Sequence, residues 1–438
     1  MTGFTYKNGV LHADDIALST IADKVGTPTY VYASSTIEQN YARLANALSP
    51  LGVRIAYALK ANSNQAVIAT LARLGAGGDI VSGGELTRAM AAGIAPDRIV
   101  FSGVGKTADE VAQALRAGIH QFNVESIPEL DLIDRVAASV GIRANVALRV
   151  NPDVDAGTHA KITTGRKDNK FGIDLDDAAA AWTRAVSLPN LNPVGLAVHI
   201  GSQLIDLTPY RAAYRRLADL VRALRAQGHE VSRLDLGGGL GVGYRGETGP
   251  DVADYAALVR EMVSDLGCSL MVEPGRYLVA EAGCVLSRVL FVKDGSARRF
   301  VILDAGMNDL LRPALYDSFH AVVPVKQAAP DAVIHPADIV GPVCETGDTF
   351  AKARELPPLE QGDLVAFLHA GAYGAVMGST YNTRPLAAEV LVAGNKFELV
   401  RPRQTVEDLL SRERIPSWLS GGDQHSPSES GQPLRSTG

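Results

Sequence analysis

Val53-Arg-Ile-Ala-Tyr-Ala-Leu-Lys60-Ala-Asn-Ser-Asn-Gln65-Ala-Val-Ile-Ala-Thr-Leu-Ala-Arg-Leu74-Gly-Ala-Gly-Gly78-Asp-Ile-Val81 is the stretch that decides the fold. A β-rich apolar run, Val53–Ala58, leads through a turn into a segment of helical period, Gln65–Leu74. Glycines then open a second β-rich run, Gly78–Val81. Strand, helix and strand in that order read as a parallel βαβ unit. The theme continues through Arg98–Ser102, Gln121–Val124, Asn145–Val150, Val194–His199, Arg233–Leu236 and Ser269–Val272. Amphipathic stretches such as Glu85–Ala92, Ala108–Ala117 and Tyr210–Gln227 lie between the runs. Eight such units in roughly 230 residues predict a closed (β/α)8 barrel, whose usual size is about 250 residues. An open doubly wound sheet is the alternative; the even spacing favours closure.

Beyond Ala280 the texture changes. Cys284–Val292, Phe300–Leu303, Leu364–His369 and Ala388–Val392 lie close together with little helical period between them, which predicts an antiparallel β domain. Phe4–Tyr6 and Thr29–Ala33 are β-like as well, and are expected to leave the barrel and pair with that sheet. The expected organisation is an N-terminal segment over 1–35, a barrel over 36–280, a β domain over 281–415 and a disordered tail over 416–438. The tail reading rests on a Ser/Gly/Pro/Gln-rich composition without apolar anchors.

The 438 residues are 46% hydrophobic and 21% charged, ordinary for a chain with a large buried core. The net charge of -6 is spread without a basic block, which speaks against nucleic-acid or membrane-surface binding. Cys268, Cys284 and Cys344 form an odd, sparse set without metal-like spacing, so neither a metal site nor a disulfide framework is expected. No signal-peptide order and no long apolar run occur, so the expected location is the cytoplasm.

Chemistry in a (β/α)8 barrel gathers where the strands end. The residues that follow the apolar runs are Lys60, Asp79 with Ser82, Gly103, Glu125 with Ser126, Asn151, His199 with Ser202, Gly237–Gly239, and Glu273 with Arg276. One polar group there would be noise, but a ring of them outlines a mouth. Lys60 ends an apolar run, and burial is expected to lower its pKa and leave an amine nucleophile. The plainer alternative is a lysine snorkelling from a strand end. The glycine triplet and Glu273-Pro-Gly-Arg276 follow the last two strands, where such barrels bind phosphate with backbone N–H groups and a guanidinium. A dinucleotide reading of the glycines lacks its downstream acid. An amine nucleophile, a phosphate cradle and a carboxylate in one mouth point to pyridoxal 5'-phosphate, with Glu273 keeping the ring nitrogen protonated and His199 against the ring face.

The chain resembles the fold-type III, alanine-racemase-like PLP-dependent decarboxylases, and among them the bacterial enzymes acting on diaminopimelate. The resemblance runs from about residue 5 to residue 415. It rests on Tyr57-Ala-Leu-Lys60-Ala-Asn62, Asp79-Ile-Val-Ser82-Gly-Gly-Glu85, Phe101-Ser-Gly-Val-Gly-Lys106, Lys170-Phe-Gly172, His199-Ile-Gly-Ser202-Gln, Gly237–Gly239, Glu273-Pro-Gly-Arg276, Arg312-Pro-Ala-Leu-Tyr316, Cys344-Glu345 and Gly371-Ala-Tyr373-Gly. It implies a homodimer with shared active sites, in which Lys60 carries the cofactor covalently. The implied cofactor contacts are Lys60, Asp79, His199, Ser202, Gly238, Gly239, Glu273, Gly275, Arg276 and Tyr373. The implied substrate contacts are Arg276, Arg312, Tyr316, Glu345 and Tyr373, and Cys344 with Glu345 would reach into the partner's site.

The implied reaction removes carbon dioxide from meso-2,6-diaminopimelate to give L-lysine. Cys344 is the candidate proton donor, since a thiol with a reference pKa of about 8.5 gives up a proton readily. Its alternative is a small buried hydrophobe. Arg312 and Tyr316 suit the distal carboxylate and Glu345 the distal ammonium, which argues against ornithine or arginine as substrate. A non-catalytic PLP-binding protein would lack the domain that carries Cys344, and a racemase would need a second acid/base that the chain does not reveal. Asn151–Lys170, rich in Gly, Thr, Asp and Lys, reads as a mobile lid or an ordinary solvated loop.

Overall fold

The structure is a computed structural model that describes residues 3–155 and 170–419. Most of the expected lid, and all of the expected tail beyond Leu419, lie outside the described residues.

Eight parallel strands form the first sheet: β1 (Arg54–Ala58), β2 (Gly77–Ile80), β3 (Ile99–Phe101), β4 (Gln121–Val124), β5 (Ala144–Asn151), β6 (Leu191–Ala197), β7 (Arg233–Asp235) and β8 (Ser269–Val272). Neighbours pair in chain order, and β8 returns to β1 through Met271 opposite Arg54, so the sheet closes into a barrel. A two-residue strand, Ile173–Asp174, pairs with β5 outside the ring. The strands are buried nearly throughout because helices such as Gln65–Arg73, Gly83–Ala91, Ala108–Ala117 and Thr208–Ala226 cover them. That double burial gives the continuous apolar runs of a parallel sheet.

The second sheet is organised around Gly283–Asp294, which pairs antiparallel with Arg299–Leu303, Leu364–Phe367 and Thr29–Ala33. It is mixed rather than purely antiparallel. Ala388–Ala393 runs parallel to Thr29–Ala33, and His335–Val340 runs parallel to Arg299–Leu303.

Thr29–Ala33 joins this sheet as expected, but Phe4–Tyr6 does not. Phe4–Lys7 pairs with Val10–Ala13 in a separate three-stranded sheet. The reason is local: Asn8 and Gly9 both adopt positive φ, the tight hairpin turn that Asn-Gly favours. Both edges of Thr29–Ala33 are already taken. The small sheet and the helix Leu18–Val25 after it instead pack on the large sheet, with Phe4 and Leu11 of the one and Leu18 and Ile21 of the other in one core with Val31, Leu286 and Val390.

Candidate active site

A cavity of about 510 Å³ opens at the C-terminal ends of the barrel strands and is closed on one side by the β domain. Lys60, His199, Ser202, Gly239, Glu273 and Gly275 reach it from the barrel. Arg276 follows β8, while Arg312, Tyr316 and Tyr373 come from the second domain.

Lys60 sits on a single turn, Leu59–Ala61, directly after β1. Its Nζ donates to Asp79 Oδ2 of β2 at 3.1 Å, and its side chain is 38% exposed while that of Asp79 is fully buried. This corrects the expectation of a lowered lysine pKa. Burial does pull downward, but Asp79, Tyr373 and Glu273 outweigh it and hold the amine above its ordinary value. The unliganded Lys60 is therefore a cation on an acidic floor, and must give up a proton before its lone pair can attack.

Glu273, one residue beyond β8, is buried with two inward-facing partners. Ser102 Oγ donates to its Oε1 at 3.2 Å and Asn123 Nδ2 at 3.1 Å. The same Asn123 nitrogen lies 2.8 Å from Asp235 Oδ2. Burial, with the Asp235 and Asp79 charges beside it, holds the Glu273 carboxyl well above the usual range. His199 Nδ1 accepts the Gly238 N–H at 3.2 Å, and burial with Arg149 and Lys60 nearby drives its pKa well down. A neutral, tethered imidazole suits packing against a flat ring.

The donors on the opposite rim fit a phosphate. Arg276 Nη2 donates to Ser202 Oγ at 3.2 Å, and its Nε is buried without a hydrogen-bond partner among the described residues. The N–H groups of Gly239 and Gly275 donate to no acceptor among the described residues. The Gly238 N–H is donated to His199 Nδ1, and its Cα faces protein. A Cβ there would stand 2.1 Å from the Glu273 carbonyl oxygen. Gly238→Ala is accordingly expected to destabilise the fold by about 2 kcal/mol or more and to weaken cofactor retention. Thermal melting and absorbance of the purified variant read the two effects.

Three features were placed in the mouth by sequence but serve the scaffold. Ser82 and Ser126 cap the following helices by accepting from Glu85 N and Glu129 N. Glu125 pairs with Arg149 at 2.7 Å and accepts from Gly103 N. Cys344 and Glu345 also lie outside this cavity. Both are exposed, on a turn that buried Asp348 fixes by accepting from Val343 N and Met307 N at 2.7 Å each. Tyr381 Oη donates to Glu345 Oε2 at 2.9 Å.

Sequence reading missed Ser102, Asn123, Asp235 and Tyr244. The first three stand within one residue of the ends of their strands. Tyr244, five residues past the glycine triplet, gave no local signal.

A family profile described as "Pyridoxal-dependent decarboxylase, pyridoxal binding domain" matches residues 34–280, the barrel with the helix before it. The diaminopimelate decarboxylase of Zymomonas mobilis is 50% identical over 96% of this chain and 100% of its own length. The chain belongs to the diaminopimelate decarboxylase family. That of Pseudomonas fluorescens is 52% identical, over 95% of this chain and 99% of its own. The crystal structure of diaminopimelate decarboxylase from M. jannaschii in co-complex with L-lysine aligns with a TM-score of 0.91 at 38% identity, covering 96% of this chain and 100% of that one. Family membership thus agrees with the resemblance drawn from the motifs. No helix among the described residues is long and apolar enough to cross a membrane.

Proposed function

We propose that this chain decarboxylates meso-2,6-diaminopimelate at its D-centre to L-lysine and carbon dioxide, with pyridoxal 5'-phosphate held on Lys60. One observation carries the reading: a single cavity contains a lysine amine, a buried carboxyl at Glu273 and two buried guanidiniums, Arg276 and Arg312. Two anion sites are what a phosphate-bearing cofactor and a substrate with a second carboxylate together require. When bound, pyridoxal 5'-phosphate supplies a conjugated ring that accepts the electrons of the breaking carbon–carboxylate bond.

Each residue then has a task. Lys60 anchors the cofactor and Asp79 takes the charge of its amine. Glu273 holds a proton at the oxygens facing the cavity, kept in place by Ser102 and Asn123. Gly239, Gly275, Ser202, Arg276 and Tyr373 would hold the phosphate, and neutral His199 would pack against the ring. Arg312 forks onto the distal carboxylate and Tyr316 adds a hydroxyl. The exposed turn of Cys344 and Glu345 completes the cavity of a second copy, the thiol protonating the carbon that carbon dioxide leaves. The protein then works as a homodimer, in the cytoplasm, without nucleic acid or membrane.

Carbon dioxide release measured over meso-diaminopimelate, lysine, ornithine and arginine tests the proposal. Release from diaminopimelate alone is expected; equal or faster release from ornithine would overturn it. Arg312→Ala is expected to raise KM for diaminopimelate on the order of 100-fold, the cost of leaving a buried carboxylate unpaired. Steady-state kinetics decide this, and an unchanged KM removes Arg312 from the substrate site.

A further inference from the structure

Arg276 and Arg312 are not independent. Arg276 Nη1 donates to Tyr244 Oη at 2.7 Å, and Arg312 Nη1 donates to the same oxygen at 3.1 Å. Both guanidinium carbons lie over the Tyr244 ring, 5.7 Å and 5.0 Å from its centroid. The ring is packed edge-on against His320 and His369, at 5.6 Å and 5.9 Å. On its far side Arg312 Nη1 meets His320 Nε2 at 3.0 Å, while His320 Nδ1 lies 2.9 Å from the Leu368 carbonyl. A carbonyl can only accept, so His320 carries its proton on Nδ1 and takes the Arg312 N–H on Nε2. Burial and Arg312 hold that imidazole down to about 3, so it stays neutral.

The result is one unbroken line: Leu368, His320, Arg312, Tyr244, Arg276, Ser202. Two buried cations would repel and splay if nothing stood between them. The phenol oxygen is the acceptor that keeps both in one geometry, and both hydrogens of Arg312 Nη1 are used to fix its plane. Arg312 Nη2 and Nε are thereby left to meet a carboxylate as a fork.

We propose that Tyr244 is a positioning residue whose hydroxyl ties the guanidinium at the phosphate cradle to the guanidinium at the distal-carboxylate site, so that selection of a substrate bearing that carboxylate depends on it. This inference rests on the function proposed above. It goes beyond that function by locating the origin of selectivity in an oxygen that need touch neither cofactor nor substrate. The Tyr244 phenol is already biased toward accepting: burial alone would raise its pKa, but Arg276 and Arg312 bring it below its ordinary value.

The test is a double-mutant cycle on the cofactor-loaded enzyme between Tyr244→Phe and Arg312→Lys. Phenylalanine keeps the ring and both histidine contacts and removes only the shared oxygen. Tyr244→Phe is expected to raise KM for diaminopimelate ~10- to 100-fold, with a much smaller fall in kcat, because a hydrogen bond to a charged group is lost. In the Arg312→Lys background, where no fork remains to be aligned, the same change is expected to cost less than about threefold. Multiplying effects, or an unchanged KM in Tyr244→Phe, would overturn the inference while leaving the decarboxylase reading intact. An unmodified enzyme that neither retains cofactor nor releases carbon dioxide would instead defeat that reading. If Tyr244→Phe does not fold, 3-fluorotyrosine placed at position 244 keeps the hydroxyl and reports by its fluorine resonance. That resonance is expected to move when diaminopimelate binds, and a stationary signal at saturation would contradict the proposal.

Discussion

Lys60→Ala is expected to lower decarboxylation of diaminopimelate on the order of 10⁴-fold or more and to leave the purified protein without cofactor absorbance. Lys60 Nζ is the donor at Asp79 Oδ2, and Asp79 Oδ1 already has no hydrogen-bond partner among the described residues. Removing the amine deletes the covalent anchor and also strands a fully buried carboxylate, which must take up a proton or destabilise the barrel. The two losses are separable. Lys60→Arg keeps a cation beside Asp79 and is expected to melt closer to the unmodified protein, yet to be equally inactive because a guanidinium does not act as the nucleophile. Activity in either variant above about a hundredth of the unmodified rate would mean that the amine is not the anchor.

The second large effect concerns Cys344, which lies on an exposed turn outside its own chain's cavity. Cys344→Ala alone is expected to be nearly inactive. Mixed with the inactive Lys60→Ala protein under subunit exchange, it is expected to recover about a quarter of full activity. The arithmetic follows from two-fold symmetry: half of the dimers are mixed, and each has one site holding both Lys60 and Cys344. No recovery despite demonstrated exchange would place the thiol in its own chain's chemistry or outside the chemistry altogether.

Much of the barrel was legible because both faces of its strands are buried, which writes each strand as an apolar run with a polar or glycine residue after it. Gln121–Val124 and Ser269–Val272 have the expected bounds, and the helix Ala108–Ala117 matches residue for residue. The N-terminal hairpin was missed: Asn8-Gly9 is a tight local turn, and pairing of Phe4–Lys7 with Val10–Ala13 across it wins over the long-range pairing that was expected. The charge state of Lys60 was misjudged for a three-dimensional reason. Burial can be read from one strand, whereas the Asp79 carboxylate that outweighs it arrives from the next strand at 3.1 Å. Ser82 and Ser126 looked functional because an N-cap and a catalytic hydroxyl occupy the same place after a barrel strand. Tyr244 stayed hidden because its meaning depends on two arginines, 32 and 68 residues further on, that converge on one oxygen.

The most direct measurement of the central claim is borohydride reduction of the cofactor-loaded protein, followed by digestion and mass mapping. A pyridoxyl phosphate mass on the peptide containing Lys60, and on no other lysine, is the predicted result. The same mass on another lysine, with Lys60 unmodified, would contradict the account.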